Sequence, residues 1–218
     1  EAARLMPLGS TLLLAALIAG SPGQPRKLRN MPDGWTWPPS IAMKEAGARC
    51  LAALDAAGVD HRPAGSVKKI ATPIEVPGMS LGGVALVPLR GAGPFPLDCH
   101  LAAAIAEVAP QLLALGVRSL QFRTLHKYRA VRKRGKSMRF LSRHAIDLAI
   151  DVFAVGFVDG EVLQVKADWS RGARRLAAVA AVFEQADRFR TPLTPANDPH
   201  DHDDHLHLEA HMHLDAAR

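Results

Sequence analysis

"SRHAIDLAIDVFAV", residues 142–155, alternates apolar with small or acidic side chains over most of its length. In strand register, Ile146, Leu148, Ile150 and Val152 share one face, and Ala145, Asp147, Ala149 and Asp151 share the other. A helical register for 144–152 stays open on spacing alone. Directly downstream, "VDGEVLQV" predicts a second strand, with Asp159-Gly160 as a two-residue hairpin turn. Upstream, "VRSLQFRTL" alternates as a strand, and the basic segment "HKYRAVRKRGKSMR" reads as a loop. Further out lie two helical patterns, "IAMKEAGARCLAALDAAGV", ending near Gly58, and "LDCHLAAAIAEVAPQLLALG", stopped by Gly116. Between them "SVKKIATPIEVPGMSLGGVALVPLR" is broken by Pro and Gly into short strands and turns. "GARRLAAVAAVFEQADRF" is a third helix, and "HLHLEAHMHL" alternates again. Helices ahead of and between antiparallel strands define an α+β fold, with a small antiparallel sheet packed against helices.

The chain has 218 residues, of which 48% are hydrophobic and 22% charged, enough to bury one substantial core. Its formal charge of +6 suits an anionic partner. The charge is mixed, however, and no aromatic ladder or nucleic-acid motif accompanies the basic segment, so nucleic acid is not the expected partner. Near the start, Arg4 precedes the apolar run Thr11–Ala19, and small residues follow. Residues 1–21 therefore read as a signal peptide or N-terminal anchor, which would leave a possible membrane tether. Residues 22–40, rich in Pro, Gly and charge, read as linker, and 41–218 as the folded domain. The expected location is outside the cytoplasm, in the periplasm or cell envelope. There the two cysteines, Cys50 and Cys99, suit one disulfide, with two buried free thiols as the alternative.

Six of the ten histidines crowd into "NDPHDHDDHLHLEAHMH", residues 197–213. Alternation puts His205 and His207 on the same face of one strand. A catalytic zinc site takes three protein ligands and keeps one position open. His144 and Asp151, separated by six residues, are the candidates to complete the set.

Ser-x-His-x6-Asp followed by His-x-His resembles the zinc peptidases grouped around lysostaphin, D-alanyl-D-alanine peptidases and hedgehog-type domains. The closer resemblance is to the bacterial extensin-like C-terminal domain family. It rests on Cys50-Leu51, "TPIEVPGMSLGGVALVP", "LDCHLAAAIAEVAP", Tyr128-Arg129, "SRHAIDLAIDV" and "HDDHLHLE", across about residues 46–210. Asp147 departs from the pattern, standing where a small or amide side chain is usual. Carried onto this chain, the resemblance implies one Zn²⁺ held by His144, Asp151 and His207. It implies His205 as general base and His202 as a further catalytic or supporting group. Ser142 and Asp204 would support the site, and Arg129 would be the cation for a substrate carboxylate or oxyanion, with Arg123 in reserve.

The activity implied is that of a zinc metallopeptidase. It would hydrolyse D-alanine-containing peptide bonds in peptidoglycan or its stem peptides, as a D,D-endopeptidase or carboxypeptidase. The alternatives are a non-catalytic zinc-containing wall-binding domain and a periplasmic metal-binding protein.

Overall fold

Ser40 starts the first helix, its hydroxyl accepting a hydrogen bond from the Met43 amide at 3.3 Å. The computed structural model describes residues 30–214, so the expected signal or anchor, 1–21, lies outside the described residues. Helix α1 spans Ile41–Ala56 and ends before Gly58, whose φ of 66° suits a residue without Cβ. Five short strands follow: β1 (Arg62–Pro63), β2 (Pro73–Glu75), β3 (Ser80–Leu81), β4 (Val84–Pro88) and β5 (Leu97–Asp98). Asp98 then caps α2 (Cys99–Ala114), accepting from the His100 amide at 3.0 Å, and Gly116 follows its end. The remaining strands are β6 (Val117–Thr124), β7 (Ala130–Lys133), β8 (Lys136–Leu141), β9 (Ala149–Phe157), β10 (Val162–Gln164) and β11 (Leu206–Glu209). Helices α3 (Val165–Asp168) and α4 (Arg174–Gln185) lie between β10 and β11.

The main sheet runs β10-β9-β6-β4-β3. Strand β9 is its hinge line: β6 covers one edge, while β10 and β11 share the other. Strand β10 pairs with Ala154–Gly156, and β11 with Ala149–Val152. Among the described residues only β4 and β6 pair in parallel, because α2 intervenes between them and carries the chain back across the sheet. The expected α+β class holds, and the other ladders are antiparallel.

Helix α2 is the central packing element. Its Leu101, Ile105, Val108 and Leu112 join Leu81, Leu86, Leu120 and Val152 of the sheet and Phe183 of α4 in one core. Each such buried side chain contributes roughly 1.5–3 kcal/mol. The turn between β3 and β4 lies hard against α2: a Cβ on Gly82 would sit 2.6 Å from the Ala109 Cβ. Cys50 and Cys99 form a disulfide that ties α1 to the start of α2.

Several details differ from the sequence expectation. Residues 142–148 do not extend β9. Ser142 caps a 3-10 turn, Arg143–Ile146, and Asp147 takes φ 56° before the strand begins at Ala149. Ile146 and Leu148 therefore leave the main core and join Met31, Trp35, Met43 and Met212 in a second cluster. The described part of the expected linker is thus packed, through Met31 and Trp35. The basic segment is a β7–β8 hairpin rather than a loop, turned by Arg134 and Gly135 at φ 48° and 75°. The β9–β10 turn is longer than Asp159-Gly160: Phe157 and Glu161 close it, and only Gly160 has positive φ. Strand β11 stops at Glu209, shorter than its alternation predicts.

Candidate metal centre

Asp151 and His207 face each other across the β9–β11 ladder. The two strands hold them at 2.7 Å, Asp151 Oδ1 to His207 Nδ1. The 3-10 turn before β9 brings His144 to the same oxygen, its Nε2 at 3.1 Å. His205, just ahead of β11, presents its Nε2 at 3.4 Å. Three imidazoles thus converge on one buried carboxylate oxygen. The potential donor atoms of His144, Asp151 and His207 lie within 4.8 Å of one another, and so do those of His202, His205 and His207.

Each ring is fixed by a partner on its other nitrogen. His144 Nδ1 lies 2.9 Å from the Leu125 carbonyl, which fixes it as the protonated nitrogen and turns Nε2 inward. His207 Nε2 meets Glu209 at 3.1 Å, which leaves Nδ1 for the centre. His205 Nδ1 meets Asp204 at 2.7 Å, and His202 Nδ1 meets Asp198 at 3.0 Å. Histidines that bind metals are held this way by carboxylates and carbonyls. Two nitrogens and a carboxylate aimed at one point also form a donor set that zinc accepts, so the residues present fit the ion.

Electrostatics follow from the same contacts. Burial disfavours a charged Asp151, but the surrounding histidines outweigh it and hold the carboxyl well below the usual range. Burial likewise opposes charge on His207, yet Asp151 and Glu209 raise its pKa to about 9. In the ion-free protein His207 therefore carries a proton at neutral pH. His205 is raised by Asp151 and Asp204 against its burial, whereas burial and the neighbouring His207 and His205 lower His202. Glu209, despite burial, is pulled down to about 2 by His207, Arg190 and Arg143.

The four histidines, Asp151 and Glu209 line a cleft of about 620 Å³. Arg129 is half-buried in its wall, beside Ser142, whose hydroxyl accepts from the His144 amide at 3.3 Å. Arg123 lies outside that wall, over the Phe153 ring at 4.1 Å, and Phe153 in turn stacks on His205 at 4.9 Å. Of the remaining C-terminal histidines, His211 and His213 pair with each other and line a separate cavity.

Asp198 at the site, and Glu209 as the partner that orients His207, were not expected. Both had a signal: Glu209 follows His207 by two strand residues and so shares its face, and Asp198 precedes His202 by four. The Leu125 carbonyl had none, because backbone groups leave no mark in composition.

No curated protein and no solved structure shows significant similarity to the chain. The family described as extensin-like protein C-terminus matches residues 48–218, which include both cysteines of the disulfide and every residue of the His/Asp centre. Since that match takes in most of the chain and the whole His/Asp centre, this chain belongs to the extensin-like protein C-terminus family.

Proposed function

We propose that the chain is a zinc-dependent peptidase acting on bacterial cell-wall peptides, with His144, Asp151 and His207 as the zinc ligands. The observation that supports this reading best is the convergence of three independently anchored imidazoles on Asp151 inside an open cleft. Relation to the D-alanyl-D-alanine and lysostaphin-type peptidases rests on the Ser-x-His-x6-Asp and His-x-His patterns. When bound, zinc supplies Lewis acidity, polarising a carbonyl and bringing the pKa of water to about 7.

The chain's own groups carry the rest of the mechanism. His205 has its Nδ1 held by Asp204, so its Nε2 accepts the proton of the attacking water and later delivers it to the leaving amine. Asp204 stabilises the imidazolium formed between those steps. His202, held by Asp198 and lining the same cleft, is placed to support His205, 4.9 Å away between rings. Arg129 in the cleft wall offers a positive charge to the substrate carboxylate or the developing oxyanion. Glu209 and the Leu125 carbonyl keep the ligand rings oriented.

The test is metal analysis of purified protein together with digestion of purified peptidoglycan, read by mass spectrometry. The reading expects one zinc per chain and new peptide termini. One zinc with intact peptidoglycan identifies a non-catalytic zinc domain, and several weak ions insensitive to loss of His144 identify a metal-carrier protein.

A further inference from the structure

The β7–β8 hairpin and the residue that leads into it carry Arg129, Arg132, Lys133, Arg134, Lys136 and Arg139, with no acidic residue between 126 and 141. Among the described residues, no carboxylate forms an ion pair with any of these six side chains. Lys133 and Lys136 are direct cross-strand partners. Like charges placed opposite each other destabilise a ladder, so the hairpin retains an electrostatic conflict that a bound anion would relieve. Arg129, Arg132 and Lys133 border the cleft of the His/Asp centre. At the tip, the Arg134 backbone N–H donates to both oxygens of Asp201 at 2.9 Å, which anchors the arm to the segment carrying His202.

We propose that this hairpin is an anion-binding arm for the free carboxylates of the peptide lying in the cleft. The assignment of the ligand as a wall peptide rests on the hydrolase reading above. The charge around the cleft favours a carboxylate peptide over nucleic acid. The cleft lining also carries the carboxylates Asp198 and Asp201, the latter held at the arm's own tip. A phosphate at every repeat would meet these carboxylates unfavourably, whereas a peptide bearing both carboxylate and amine groups has a charge to offer each sign in the mixed lining. The exposed aromatic ring at the foot of the arm is already paired with a cation. Tyr128 is exposed, and Lys68 lies over its ring at 5.1 Å.

The experiment measures binding of the full chain to soluble peptidoglycan fragments with free stem-peptide carboxylates, and to the same fragments amidated. Binding to a short DNA duplex is measured alongside. The carboxylate fragments should bind more tightly than both other probes, and their affinity should fall as salt rises from about 50 to about 200 mM. The double variant Lys133→Gln/Lys136→Gln should weaken that binding by about tenfold, the scale expected for two lost exposed charge contacts. Lys133→Arg/Lys136→Arg should restore it, which separates lost charge from a disturbed hairpin. Equal binding of amidated fragments, unchanged affinity in the Gln variant, or tighter binding of DNA each overturns the proposal. Binding and cleavage fail separately: carboxylate-dependent binding without cleavage keeps the arm and removes the hydrolase, while cleavage with charge-independent binding does the reverse.

Discussion

Asp151 lies in the cleft with one oxygen facing three imidazoles, an arrangement stable only with a shared cation or shared protons between them. Loss of any of His144, Asp151 or His207 by substitution with Ala should therefore strip zinc, measured by metal analysis, because three ligands leave no redundancy. His211→Ala should not. His205→Ala should keep the ion yet slow peptide hydrolysis by roughly 10²–10⁴, the usual contribution of a general acid-base group. Loss of zinc in that variant would make His205 a ligand instead. Glu209→Gln should weaken zinc binding by about 10–100-fold, since it loosens the orientation of His207 without removing a donor. Asp147 presents a different problem. It is fully buried, and neither carboxyl oxygen reaches a hydrogen-bond partner. Burial, then the charge of Asp98, push its pKa well above the ordinary 3.8, and the dipole of the nearby Asp98 backbone N–H, which makes no hydrogen bond to it, offsets this only in part. A raised carboxyl pKa favours the folded state at low pH. Its contribution is fully present below about 3.8 and is lost as pH rises toward the folded value. Asp147→Asn should thus be more stable than the parent at neutral pH, by about 1–3 kcal/mol if the uncompensated carboxyl is the cause. The advantage should shrink toward pH 4, as read by urea unfolding at several pH values.

The elements differ in how plainly the sequence announces them. Helices α1 and α2 were legible because apolar residues recur at helical spacing and Gly58 and Gly116 end the periodic runs. The residues of the His/Asp cluster were legible too, since His-x-His and His-x6-Asp survive as spacing whatever the turn between them. Alternation misled at 142–148, where the period of two continued through a 3-10 turn capped by Ser142. It misled because Ile146 and Leu148 are apolar for another reason: they fill a second cluster with Met31 and Trp35. That cluster was hidden by the Pro, Gly and charge of the segment that supplies it. The β7–β8 hairpin was missed because its turn uses Arg134 with positive φ, a role normally signalled by Asn, Asp or Gly. Packing between elements gives its own test at Gly82. Ala there would need φ 58° and would meet Ala109 on α2 at 2.6 Å. Gly82→Ala should cost on the order of 1–3 kcal/mol in urea unfolding, as overpacking does. A smaller effect would mean that the β3–β4 turn moves away from the helix freely.

At the scale of the whole molecule, two devices join distant parts of the chain. The Cys50–Cys99 disulfide closes a loop with a sequence separation of 49, worth about 4 kcal/mol by loop entropy. The His/Asp centre joins the β9 region to β11 and binds protons when no ion is present. His207 has a folded pKa of about 9 against an ordinary 6.5. A raised histidine pKa stabilises the fold fully below 6.5, and that contribution is lost as pH rises through about 9. On the zinc reading proposed above, the ion acts in the opposite sense. It would have to displace the His207 proton, so its affinity, and with it the stabilisation it gives, should grow as pH rises through the same window. Thermal unfolding of ion-free protein should therefore show Tm falling between pH 6.5 and about 9, while the increment in Tm on adding zinc increases. Calorimetry of zinc binding in buffers of different ionisation heat should show proton release that diminishes toward pH 9. His207→Gln should flatten the part of the ion-free slope that belongs to this residue and abolish the zinc increment. A zinc increment independent of pH across that window would mean that the ion does not compete with the His207 proton, and the ligand set would have to exclude His207.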